Sequence, residues 1–203
     1  MKLYSMPGAC STADHIALQW TGEAFDFQTV SHDQLGSPEI LKLNPNKQIP
    51  ILVDGDFVLT QNVAIMNYIA ESFPKAHLEG DGSKRQKAET LRWLAFMNAD
   101  VHPAFALIFR AKNISNDPKI QETFENQGRK RLRELYAIAD KQLNGKEWIA
   151  GFRSVADPYL FITLKWAQSI KLDISDFSNL ERFLHKMEKD PGVIAVFKAE
   201  GLS

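Results

Sequence analysis

Cysteine is all but absent from this sequence: Cys10 is the only one in 203 residues. A single cysteine excludes an internal disulfide framework and a Cys-rich zinc site, and it suits a reducing compartment such as the cytoplasm. Long apolar runs are missing as well, none approaching the roughly 18–20 residues that a membrane span needs. The opening Met1-Lys2-Leu3-Tyr4-Ser5-Met6-Pro7 lacks the apolar core of a signal peptide. Net charge is scarce, −1 overall, which removes any general attraction to nucleic acid or to an anionic membrane. Arginine does not occur in residues 1–73, where three lysines stand against eight acids for a charge of −5, compared with +4 in the remainder. That asymmetry hints at two units. The basic residues of the second unit alternate with acids, as in Arg129-Lys130-Arg131-Leu132-Arg133-Glu134, the pattern of a solvated helical face.

What is present divides the chain in the same place. Lys2 to Ser5 is strand-like and is broken by Pro7-Gly8, after which Ile16, Ala17 and Trp20 fall at helical spacing. Phe25 to Val30 alternates as a strand does, and Ser37-Pro38-Glu39 carries an N-cap, a first-turn proline and an acid at the positive helix end. Ile49 to Val53 and Phe57 to Thr60 flank Asp54-Gly55-Asp56, a hairpin signal, and Val63 to Phe73 returns to helix. The order is β-α-β-α-β-β-α within residues 1–74, an α/β unit. Residues 75–83 continue a Pro- and Gly-containing stretch read as a linker. Residues 84–203 read as all helix: 84–112 with a bend at Pro103, 118–143, then shorter helices over 155–169, 177–189 and 193–199.

Cys10 stands between the Pro-Gly turn and a helix start, where backbone N–H groups and the helix dipole favour a thiolate or another anion. It reads either as a functional thiol, acting by mixed disulfide or by hydrogen bond to an external thiolate, or as a buried inert cysteine. Pro50, at the start of the third strand, fits a plain strand start or a cis turn that would turn the Ile49 backbone outward. Gln61-Asn62 opens a helix, as a polar cap or a second anion site. His102 is either structural or a group facing a cleft. The other histidines, His15, His32, His77 and His185, show no metal spacing, and no metal is expected. Ser154-Val155-Ala156-Asp157 matches a capping box, a folding element rather than a catalytic serine.

Four segments in order, K-L-Y-S-M-P-G-A-C-S (residues 2–11), N-P-N-K-Q-I-P (44–50), L-T-Q-N-V-A-I-M-N-Y-I-A (59–70) and S-V-A-D (154–157), resemble the cytosolic glutathione transferases, and most closely the bacterial beta class. The resemblance spans the chain. It implies an N-terminal thioredoxin-like domain that binds glutathione and an all-α C-terminal bundle that supplies a hydrophobic pocket, in a homodimer. By the same resemblance the backbone of Ile49, after Gln48 and before a cis Pro50, pairs with the cysteinyl part of glutathione. Gln61 and Asn62 hold the γ-glutamyl carboxylate, and Asp100 reaches the γ-glutamyl amine across the dimer interface. Cys10 faces the glutathione sulfur with Ser11 beside it, and His102 is the cleft histidine. Phe105, Ile108, Phe109 and Trp166 are expected to wall the pocket. The chain departs from the class pattern at Asn62, usually Ser or Gly, at Pro103, usually Lys, and at Ala95, often Asn.

The activity this implies is conjugation of the glutathione thiolate to small apolar electrophiles, a detoxifying reaction with glutathione as co-substrate. Glutathione-dependent thiol–disulfide exchange through Cys10 can accompany it. A non-catalytic binding or chaperone-like module on the same fold is the alternative.

Overall fold

The structure, a computed structural model, describes residues 1–202. Strand β1 (Lys2–Ser5) runs parallel to β2 (Asp26–Thr29) and antiparallel to β3 (Ile51–Asp54), which pairs with β4 (Phe57–Thr60) in the order β2-β1-β3-β4. Alternation along the strands decides the two faces. Leu3 and Leu52, opposite each other in the ladder, pack under helices α1 (Ser11–Thr21) and α3 (Asn62–Ser72), while Tyr4 and Ile51 face α2 (Pro38–Leu43) on the other side. Ser37 caps α2 as its sequence indicates, its side chain accepting the Ile40 N–H at 3.3 Å.

After the sheet the chain is helical: α4 (Lys84–Phe96), α5 (His102–Phe109), α6 (Ala111–Ile114), α7 (Pro118–Gln142), α8 (Ala156–Ser169), α9 (Ser178–Glu188) and α10 (Pro191–Glu200). The single bent helix expected over 84–112 is instead three helices. A wide π turn over Met97–Val101 separates α4 from α5, closed by the His102 N–H on the Met97 carbonyl. Pro103 has no N–H to offer the preceding turn, and the wider turn just before it absorbs the mismatch.

Residues 75–83, read as a linker, are anchored rather than free. Leu78 is buried, its carbonyl accepts the Val155 N–H at 3.0 Å, and Glu79 bridges to Ser154. Helix α8 is buried along almost its whole length and packs against α1, α4 and α9. One core therefore runs from Leu3, Ile16 and Ile65 through Leu94 and Met97 to Tyr159, Leu160 and Phe183. No helix among the described residues is long and apolar enough to cross a membrane.

Candidate active site

The end of β1, the starts of α1 and α3, and the loop ahead of β3 converge on one open cleft of about 440 Å³. Gly8, at φ +75°, lets the chain reverse between β1 and α1, a conformation that L side chains rarely adopt. Its N–H donates to Thr12 Oγ1 at 3.0 Å and its carbonyl accepts the Trp166 Nε1–H at 2.7 Å, so the turn is held from both sides. Cys10 follows at the mouth of α1, partly exposed on the cleft wall, its thiol directed at the Ile49 carbonyl with Sγ to O 3.9 Å.

The expected thiolate at this position is not favoured. Desolvation, then the nearby Asp14, push the Cys10 thiol up to about 12, and the hydrogen bonds at the helix start offset only part of this. The helix dipole acts over a short range, and here it is outweighed by loss of water. Cys10 is thus a neutral S–H donor at physiological pH.

Opposite Cys10, Gln48, Ile49 and Pro50 line the cleft, and the Ile49–Pro50 peptide is cis. Buried Asn44 holds this loop, its Nδ2 donating to the Gln48 carbonyl at 2.8 Å and its Oδ1 accepting the Asn46 N–H at 3.0 Å. Gln61 and Asn62 also line it. Gln61 takes φ +75° just ahead of α3, a conformation uncommon outside glycine. The Asn62 side chain is turned inward: its Nδ2 donates to the Cys10 carbonyl at 3.0 Å and to Asp14 Oδ2 at 2.8 Å. Both amide hydrogens are spent inside the protein, which leaves the backbone N–H groups at the start of α3 for an anion.

His102 reaches the cleft from the helical unit. Its Nδ1 lies 2.8 Å from the Tyr159 hydroxyl, which in turn donates to Asn98 Oδ1 at 3.3 Å. The Tyr159 hydroxyl, set between His102 Nδ1 and Asn98 Oδ1, fixes the orientation of the ring. Burial, then the charge of Arg110, lower the His102 pKa, so the ring is neutral near pH 7.

The remaining expected residues are placed differently. Ser11 is fully buried and faces away from the cleft. Its Oγ lies 2.9 Å from Ser5 Oγ and accepts the Met6 N–H, also at 2.9 Å. As the first residue of α1 it is rotated about 100° from Cys10, into a polar cluster around Glu200. Glu200 accepts from Thr12 Oγ1 at 2.7 Å and Ser5 Oγ at 3.0 Å, and contacts His15 Nδ1 at 2.9 Å. Phe105 is fully buried, and Ile108 is wedged against Gly128 of α7, where an added Cβ would come within 2.8 Å of it. Phe109 is exposed and stacks on Phe105, and both meet edge-to-face the ring of Trp166, which meets His102 edge-on at 4.9 Å. These four form an aromatic and aliphatic layer behind His102, and the cleft wall proper on that side is Asn98, His102 and Arg110. Asp100 sits on the π turn, its carboxylate 3.7 Å from Arg131, outside the cleft of its own chain.

Sequence reasoning passed over Lys47 and Arg110, which with His32 and Asn98 also line the cleft, while no Asp or Glu among the described residues does. Lys47 was legible, standing inside the N-P-N-K-Q-I-P segment. Arg110 was not, because nothing local indicates that the end of α5 returns to the cleft. Among the described residues no group of three or more His, Cys, Asp or Glu side chains is arranged to hold a metal.

The sequence model of the glutathione S-transferase N-terminal domain matches residues 1–71, and that of the C-terminal domain matches residues 89–191. Among solved structures, a glutathione S-transferase from Xylella fastidiosa superposes with a TM-score of 0.96 at 46% identity, covering 100% of this chain and 99% of that one. A sphingomonad glutathione S-transferase complexed with glutathione gives a TM-score of 0.88 at 33% identity over 100% of both chains. A beta-class glutathione S-transferase from Sphingomonas chungbukensis gives 0.87 at 34% identity, again over 100% of both. With both halves matched in order and the whole fold shared, the chain belongs to the glutathione S-transferase family.

Proposed function

We propose that this protein binds glutathione in the cleft and transfers its sulfur, as the thiolate, to small apolar electrophiles. The observation that carries this reading is the convergence of three groups on one cleft: the Cys10 S–H, the Ile49 backbone beside Pro50, and the N-terminus of α3. Glutathione is a peptide-like anion with two carboxylates, an ammonium group and a thiol, and those groups answer its sulfur, its cysteinyl backbone and its γ-glutamyl carboxylate in turn. Among the described residues the lining carries Lys47 and Arg110 and no acid, so an anion enters without the repulsion that the −5 charge of residues 1–73 would suggest. The complex of a 33% identical relative with glutathione supports the same ligand.

Chemically the site needs to lower the thiol pKa of glutathione and hold the sulfur near the electrophile. Cys10, as a neutral donor, stabilises the developing thiolate by hydrogen bond. His102, neutral, offers polarity and a lone pair. Its aromatic neighbours Trp166, Phe105 and Phe109 stiffen the side on which an apolar electrophile would rest. Thiol–disulfide exchange through Cys10 is the secondary reading, supported by its exposure to the cleft and slowed by the scarcity of its thiolate. Asp100 reaching a second copy's ligand belongs to this proposal, as do a homodimer and residence in the reducing cytoplasm, the last supported by the single free cysteine.

The test is conjugation over a panel of aryl halides, epoxides and enals, together with retention on immobilised glutathione. Retention with turnover of at least one electrophile is expected. Failure to bind immobilised glutathione would overturn the reading in favour of a non-catalytic module.

A further inference from the structure

Beneath Cys10, on the side away from the cleft, Asp14 is fully buried one turn further along α1, and Asn62 is nearly so at the start of α3. The Asn62 amide bridges them, donating one hydrogen to the Cys10 carbonyl and the other to Asp14 Oδ2. Two acceptors are then left over: Asp14 Oδ1 and Asn62 Oδ1 are both buried without a partner. They belong to two side chains that already touch, and few buried side-chain polar atoms among the described residues share that condition. A carboxylate oxygen and an amide oxygen cannot satisfy each other, because both only accept. A proton on Asp14 Oδ1 resolves both deficits at once. The acid then donates to Asn62 Oδ1 while Asn62 Nδ2 donates to Asp14 Oδ2, closing a two-bond ring, and the second amide hydrogen stays on the Cys10 carbonyl.

We propose that Asp14 is held as a neutral carboxylic acid paired face to face with the Asn62 amide, and that this pair is the positioning element that fixes Cys10 against the sulfur site. The surroundings agree. Asp14 makes no ion pair among the described residues. The titratable groups facing it are Cys10 on its own helix, Glu200 on α10 and Tyr159 on α8, and the adjacent His15 is turned to Glu200. None is a cation free to neutralise it. Burial, with the charge of Glu200 in support, raises its pKa well above the usual carboxyl range.

The catalytic consequence rests on the glutathione reading above. Loss of the Asp14 proton breaks the ring at Asn62 and places a negative charge behind Cys10, where it disfavours a second negative charge on the glutathione sulfur. Conjugation by the wild type then gains less from rising pH than thiol ionisation alone would give.

Two measurements decide this. In wild-type protein labelled with 13C at aspartate Cγ, without glutathione, the Asp14 resonance is expected to keep its neutral-acid shift at about pH 7 and to move only above it. An ionised shift at about pH 6 overturns the proposal. The second compares Asp14→Asn, which preserves the ring geometry and cannot titrate. The ratio of kcat/KM at about pH 9 to that at about pH 7 is expected to be at least threefold higher in Asp14→Asn than in wild type. Asn62→Ala should lower kcat, with a smaller change in the KM for glutathione, because it releases Cys10 rather than removing a ligand contact. Parallel pH profiles for wild type and Asp14→Asn overturn the positioning role. A wild type that conjugates nothing overturns the glutathione reading instead, while the resonance still reports on the pair.

Discussion

At the mouth of α1 the Cys10 thiol meets two opposing influences, the positive end of the helix and the loss of water with Asp14 close by, and the second is larger. A thiol pushed up to about 12 is almost wholly protonated at neutral pH. Alkylation by iodoacetamide at about pH 7.5 is therefore expected to be slower than for a free thiol, and a rate equal to or above that of free cysteine would contradict the neutral-donor role. Cys10→Ala should lower kcat/KM by roughly twofold to tenfold, the worth of one hydrogen bond, with Cys10→Ser restoring most of it. His102 works in the other direction. Its lowered pKa keeps the ring neutral, so the rate profile is expected to show no limb at the ordinary histidine value near 6.5. Such a limb, lost in His102→Gln, would show that the imidazole titrates in the working range.

At the scale of elements, the N-terminus of α8 shows how a short motif organises a long-range contact. Asp157 accepts the Ser154 N–H at 2.7 Å, as the capping box implies, and it also accepts the Ile149 N–H at 2.9 Å, tying the preceding loop to the helix. Both donors are buried, so Asp157→Ala should cost on the order of 3 kcal/mol in urea unfolding. Burial also raises the Asp157 pKa to about 7 against 3.8 for a free carboxyl, the hydrogen bonds offsetting part of the shift. The folded state thus binds the proton more tightly than the unfolded state. Its contribution is complete below the free value and is lost as pH rises through about 7. Wild-type stability measured relative to Asp157→Asn should fall between about pH 4 and 8, and a difference independent of pH would contradict the burial argument. The helix and the Asp157 half of the box were legible from S-V-A-D, whereas Ser154 Oγ accepts the Ala156 N–H at 3.3 Å in place of the Asp157 N–H that a full box requires. The π turn at Met97–Val101 was not legible: Pro103 signals a disturbance, but whether a helix bends or widens depends on what packs against it, here α8, from which the Tyr159 hydroxyl reaches Asn98.

At the scale of the molecule, the division by charge at residue 74 does not divide the core. Helix α1 packs against α8 and α10, Trp20 Nε1 donates to Asp190 at 2.8 Å, and Glu200 is buried among Ser5, Thr12 and His15. A fragment ending at residue 74 would expose the faces of Ile16, Ala17 and Trp20 and leave Ser5 and His15 without their carboxylate. The whole chain is therefore expected to unfold in one transition, coincident by far-UV circular dichroism and tryptophan fluorescence, and the fragment to remain unfolded. Two separated transitions would refute a shared core.

Local spacing carries the strand and helix order of residues 1–74, the hairpin at Asp54-Gly55-Asp56, the Asp157 contact to the Ser154 N–H, and the family through four short segments in order. Those signals depend on neighbours within a few residues, which is where propensity, capping and turn chemistry act. Which way side chains of the right type face is set by packing across the fold. Ser11 adjoins Cys10 in sequence yet turns to Ser5, which bonds Glu200, 195 positions further along. Asn62 looks like a ligand donor until Cys10 and Asp14 take its hydrogens, and the thiol that a helix start should acidify is held neutral by the water it loses. Orientation and dielectric are set by elements distant along the chain, and a linear pattern contains neither.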